Sequence, residues 1–173
     1  VGDHDEAFSL GVESRAMQQM ADVMQGATTL LARLMLAAVF ASAVANKVLH
    51  FSTTAAYMAS EGVPVPKFAL FGAIGLLLVG CLSLLLGAWT RIGSLCLLAF
   101  LAAATFYFHD FWRFVDAGQR QLQTIQFMKN LAIGGGLLTL AAYGGGPWSV
   151  DGWIAVKQEE AESTPKQRTV AKT

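Results

Sequence analysis

Cysteine is nearly absent: Cys81 and Cys96 are the two among 173 residues, too few for a disulfide framework and without the CxxC spacing of a zinc site. Charge is equally scarce. Asp, Glu, Lys and Arg make up 14% of the chain, twelve cations against twelve anions, and this balance excludes the basic excess that nucleic-acid binding requires. No P-loop, metal-protease or nucleophile-elbow pattern occurs, and no metal is expected. The start carries Asp3, Asp5 and Glu6 with no basic segment ahead of an apolar run, which is not the form of a cleavable secretory signal. What is present in quantity is apolar: 54% of residues, with a mean hydropathy of +0.49, gathered in long runs. That is the pattern of a membrane protein rather than of a soluble core.

Four such runs are each long enough, at about 1.5 Å per residue, to cross about 30 Å of hydrocarbon. They are Thr28 to Phe51, Phe68 to Ala88, Ile92 to Phe108 and Ile125 to Tyr143. The expected fold is therefore all-α, a four-helix transmembrane bundle. Before it, Met17, Met20, Ala21 and Met24 recur at helical spacing and predict a short amphipathic N-terminal helix, able to lie on the membrane surface. Three regions follow: a polar segment 1–27, a membrane domain 28–153 and a mobile charged tail 154–173. GVPVPK closes a loop over 52–67, because its two prolines cannot lie inside a helix. Val115 to Thr124 reads as a polar connection. Gly72, Gly75, Gly80 and Gly87 offer small surfaces for close helix approach, as do Gly134, Gly135 and Gly136. Arg33 lies one turn inside the first span and Lys47 at its finish, both placed to snorkel toward headgroups.

Alternating helix direction gathers Asn46, Lys47, His50, His109, Asp110, Arg113, Gln126, Lys129 and Asn130 at one face, with nothing comparable at the other. Aromatic residues crowd there too, in ATFYFHDFWRF, residues 104–114, as suits a lipid–water boundary. Ionisable groups beside long apolar runs are costly unless water or a partner receives them. With four spans both termini share a side. There Arg15, Arg33, Arg91, Lys157, Lys166, Arg168 and Lys172 outnumber Lys47, Lys67, Arg113, Arg120 and Lys129, seven against five, which puts the termini in the cytoplasm.

These residues carry a resemblance. RLMLAAVF at 33–40, TTAAYMASEGVPVP at 53–66, LLLGAWTRIGSL at 84–95, and above all FHDFW at 108–112 with QFMKNLAIGGGLL at 126–138 resemble the DoxX family of small four-helix membrane proteins, over roughly Leu31 to Trp153. One departure is plain: many members carry a glutamate inside the second span, and AIGLLLVGCLSLLLG at 73–87 has none, so no proton-handling role passes to that position. The resemblance implies a bacterial inner-membrane protein associated with quinone- or thiol-linked oxidoreductase systems, such as thiosulfate:quinone oxidoreductase, within a larger membrane complex.

Two readings of the polar face follow. In one it binds a quinone headgroup, with His109 and Lys129 donating hydrogen bonds, Asp110 orienting one of them, and Phe108, Phe111 and Trp112 walling the ring. In the other Asp110 pairs with Lys129, Arg113 or Lys47 merely to join helix ends, and the chain is a non-catalytic accessory subunit. Haem is disfavoured because His50 and His109 do not face each other at mid-bundle height. Cys81 and Cys96 at similar depth permit a thiol pair, although packing is the commoner role of buried cysteine. Transport finds no support in a broken-helix pair or inverted repeat.

Overall fold

The computed structural model describes residues 2–170, with side-chain surroundings for 10–163. It is all-α: α1 (Gly2–Leu49), α2 (Phe51–Ser60), α3 (Pro66–Leu86), α4 (Thr90–Phe108), a 3-10 turn (Phe111–Arg113), α5 (Ala117–Tyr143) and α6 (Val150–Val170). Among the described residues three helical segments are long and apolar enough to cross a bilayer: Leu10–Leu49, Pro66–Leu86 and Thr90–Arg113. The expectation of a simple four-helix bundle is thus corrected to six α-helices with three candidate spans. The fourth run falls short because Gln126, Lys129, Asn130 and three glycines dilute its apolar residues. It still packs on α4, as part of a longer helix that begins well before Ile125. Asp116 starts α5, its carboxylate accepting from the Gln119 N–H at 2.8 Å, an N-cap within the supposed connection.

The short amphipathic helix is corrected as well. α1 runs unbroken through Gly26 for 48 residues, roughly 70 Å at 1.5 Å per residue. Glycine and threonine do not stop it. Thr28 and Thr29 turn their hydroxyls onto the carbonyls of Met24 and Gln25 at 2.7 Å, and Gly26 lies against the Trp148 ring. The loop expected over 52–67 contains α2, whose Ala55 and Met58 pack with Val63 and Leu70. Residues 154–170, read from the sequence as a tail, are helical in α6.

The main core joins Ala37 and Phe40 of α1, Leu77, Cys81 and Leu84 of α3, Leu97 and Leu101 of α4, and Leu137 and Leu140 of α5. Cys81 faces the Ala37 carbonyl at 3.9 Å, and both cysteines are free thiols. The glycines of α3 differ sharply. A Cβ at Gly80 would collide with Leu97, whereas one at Gly72 or Gly75 would meet nothing within 4 Å. Membrane helices associate through such close approaches rather than by hydrophobic exclusion. Gly80→Ala is therefore expected to cost about 1–3 kcal/mol through overpacking. Gly75→Ala should be neutral or stabilising by up to about 1 kcal/mol, since glycine is a poor helix former. Denaturation of both variants in mixed micelles measures the contrast, and equal effects would refute this packing.

Candidate functional site

At the end of the bundle where α1 and α4 finish and α3 and α5 start, a cavity of about 840 Å³ opens between α1, α2, α3, α4 and α5. Six of the nine residues proposed from sequence as a ligand-binding polar cluster line it: Asn46, Lys47, His50, His109, Lys129 and Asn130. Its apolar wall includes Phe40, Phe100, Tyr107 and Phe108. Asp110 and Arg113 turn away into a neighbouring cavity beside Glu61, where the Arg113 Nε donates to the Asp110 carboxylate at 2.8 Å. Asp110 is buried at 5% exposure while the Arg113 side chain stays 70% exposed. Trp112 joins neither cavity. It packs edge-on against Phe111, with ring centroids 5.1 Å apart, and both meet Phe127. The expected aromatic wall is thus Phe108 with Tyr107 and Phe100 rather than Phe111 and Trp112, and the expected orienting role of Asp110 is replaced by its pairing with Arg113.

Within the cavity the polar groups are held from outside it. His109 Nδ1 donates to Gln123 Oε1 at 2.9 Å, which leaves Nε2 as the free ring nitrogen. The buried Asn130 amide donates to Thr105 Oγ1 at 2.9 Å, and that hydroxyl donates to the Leu101 carbonyl at 2.7 Å. Lys129 Nζ donates to Gln126 Oε1 one turn earlier on α5. Lys47 is half-buried with its ammonium 5.4 Å from the Phe100 ring centre, a cation–π contact. The Tyr57 ring stacks on Phe108 at 5.4 Å; burial, followed by nearby Glu61, raises its phenol above the usual tyrosine value.

Sequence reasoning missed the contribution of α2, which supplies Thr53, Thr54, Tyr57 and Met58 to the lining. The spacing of Phe51, Ala55 and Met58 was the available signal, since i, i+4, i+7 is one helical face.

The opposite end is not empty of polar structure, as the sequence had implied. Arg33, expected to snorkel, is 2% exposed. Its Nε and Nη2 donate to the carbonyls of Leu84 and Leu85 at 2.8 and 3.2 Å, and Nη1 donates to those of Gly145 and Trp148 at 3.1 and 2.8 Å. The first two are orphan carbonyls at the finish of α3, where the helix dipole also favours a cation. Beside it the Asp151 carboxylate accepts from the backbone N–H of Trp89 at 2.7 Å and Thr90 at 2.9 Å, closing the start of α4. The N–H of Asp151 donates to the Gly87 carbonyl at 2.9 Å, and its charge attracts Arg33. GGGPWSVDGW, residues 144–153, is therefore a clasp fitted around one guanidinium.

Apolar spans, a polar-rimmed open cavity at one end and a buried arginine clasp at the other define a helical, multi-span membrane protein with an amphipathic cavity. The chain belongs to the DoxX family, which it matches over residues 28–110. It is 35% identical to Inner membrane protein YqjF of Escherichia coli (strain K12) over 122 residues, covering 70% of this chain and 88% of that protein. It is 30% identical to Inner membrane protein YphA of the same organism over 123 residues, covering 70% and 86%. No solved structure matches it.

Proposed function

We propose that the chain is a multi-pass protein of the bacterial inner membrane whose cavity receives the ring of a quinone-type molecule and presents it to an oxidoreductase assembly. The observation that carries this reading is the cavity itself. Its volume of about 840 Å³ lies within the range of small-molecule sites, and such sites combine an apolar lining with a few convergent polar groups. Phe100, Tyr107 and Phe108 supply flat apolar surface; Lys47 supplies a donor for a ring oxygen, and the free His109 nitrogen an acceptor for the hydroxyl of the reduced ring. The location rests on the names of the two relatives and on the apolar spans. α1's N-terminal half and α6 leave the bundle at the same end, beside Gly26 and Trp148, and the lysine and arginine balance assigns that end to the cytoplasm.

Titration of the purified protein in lipid nanodiscs with a short-chain ubiquinone analogue tests the reading. Saturable binding to the natural sequence is expected, weakened at least tenfold by Ala104→Trp, which fills the cavity without altering its polar rim. Absence of saturable binding, or equal binding by the filled variant, refutes it.

A second reading, that of an accessory subunit, is favoured by α1, in which residues 10–25 are exposed throughout and include Leu10, Met17, Met20 and Met24. Methionine-rich faces adapt readily to partners. Isolation in mild detergent of a stoichiometric complex that dissociates on Met17→Glu and Met20→Glu would support it.

A further inference from the structure

The titratable side chains that line the cavity are Lys47, His50, Tyr57, Tyr107, His109 and Lys129; there is no aspartate or glutamate among them. The two nearest acids by position in the chain, Glu61 and Asp110, line the adjoining cavity instead, and Asp110 is already engaged by Arg113. Lys47 comes from α1 and Lys129 from α5, so two cations approach the space from different helices. Neither is in an ion pair among the described residues: Lys47 rests over the Phe100 ring and Lys129 on the neutral Gln126 amide. The half-buried Lys47 ammonium, with a ring face as its contact, is poorly compensated in an apolar setting, and the exposed Lys129 at the rim brings a second positive charge without an acid partner. Cations arranged in this way are complete when an anion enters between them, because a charge-assisted hydrogen bond is about twice as strong as a neutral one.

We infer that the cavity selects an amphipathic anion: within the quinone class, on whose binding here the inference rests, it takes a ring bearing an ionised hydroxyl in preference to a neutral quinone. The anionic oxygen lies between Lys47 and Lys129, and the ring lies against Phe100, Tyr107 and Phe108. The uncharged remainder of the ligand extends along the apolar part of the lining toward Ala69 and Ala73 of α3.

The test compares an alkyl hydroxynaphthoquinone, ionised at neutral pH, with its methyl ether, using the natural sequence and the variants Lys47→Met and Lys129→Met in nanodiscs of zwitterionic lipid. Methionine keeps most of the lysine stem and removes the charge. The anion is expected to bind at least tenfold tighter than the ether, and each variant to lose about tenfold in anion affinity, as fits the loss of one charged hydrogen bond; Lys129→Met leaves the ether unchanged, whereas Lys47→Met weakens the ether by clearly less than it weakens the anion. Equal, saturable binding of anion and ether overturns the charge preference and leaves the quinone reading standing. A long-chain alkyl carboxylate that binds as tightly as the hydroxynaphthoquinone upholds the charge preference and removes the quinone reading. If neither quinone binds, both fall. Loss of ether binding in Lys129→Met also overturns the inference, because it would mark a general collapse of the cavity. Circular dichroism of each variant, unchanged from the natural protein, separates that collapse from global unfolding.

Discussion

Arg33→Met is expected to destabilise the protein by about 3–5 kcal/mol, the cost of breaking a buried charged network by removing one partner. The loss has three parts. The carbonyls of Leu84 and Leu85 lose their donors at the end of α3, where the helix has no N–H left to offer them. The carbonyls of Gly145 and Trp148 lose theirs in the loop between α5 and α6. Asp151 loses the positive charge that attracts it. Arg33→Lys should recover little, although it preserves the charge. Arg33 directs four N–H bonds from three nitrogens to four separate carbonyls, whereas a lysine offers three donors from one point. Denaturation in mixed micelles, followed by circular dichroism, gives the size of each loss. A lysine variant within about 1 kcal/mol of the natural protein would show that charge alone holds this end together. Both variants should leave the opposite cavity able to bind ligand in whatever fraction remains folded, since Arg33 contributes nothing to its lining.

Arg33 also shows where the sequence stops being legible. An arginine one turn inside an apolar run is compatible with a head drawn out to the lipid surface and with one drawn inward to backbone carbonyls. The choice depends on whether orphan carbonyls from distant parts of the chain arrive beside it. Its partners lie 51 to 115 residues away, beyond anything periodicity reports. The second and third spans, by contrast, were readable because Pro66 at the start of α3 and Gly87 in the left-handed conformation at its end punctuate uninterrupted apolar runs. The fourth was misread because α5 mixes an apolar half with Gln126, Lys129 and Asn130, and the same polar residues that mark the cavity lower the helix's claim to span. Grouping polar residues by helix direction did place six of them around one cavity. It could not separate them from Asp110, because a 3-10 turn after His109 redirects the next residues, and no alternation of helix direction predicts a turn of three residues.

Gly152→Ala is expected to cost about 2–3 kcal/mol, at the upper end of overpacking, although it adds one methyl group to a helix. Elsewhere in α6 alanine would favour helix formation. At this position a Cβ would lie 2.6 Å from the Gly146 carbonyl oxygen, 2.8 Å from that of Pro147 and 3.1 Å from Pro147 Cα. All three are backbone atoms, so no change of rotamer relieves the overlap. The helix must move away from the loop, and Asp151 moves with it, off the N–H groups of Trp89 and Thr90. Trp89 is held at a φ of 50°, unusual for a bulky residue, and depends on such outside support. Gly152→Ala and Asp151→Ala therefore act on one contact. Combined, they should destabilise by clearly less than the sum of the two single effects, since residues in a shared network are not additive. A double-mutant cycle by micellar denaturation measures this. Strict additivity would mean that the glycine fits α6 to the loop independently of Asp151, and that the clasp around Arg33 is two separate contacts rather than one.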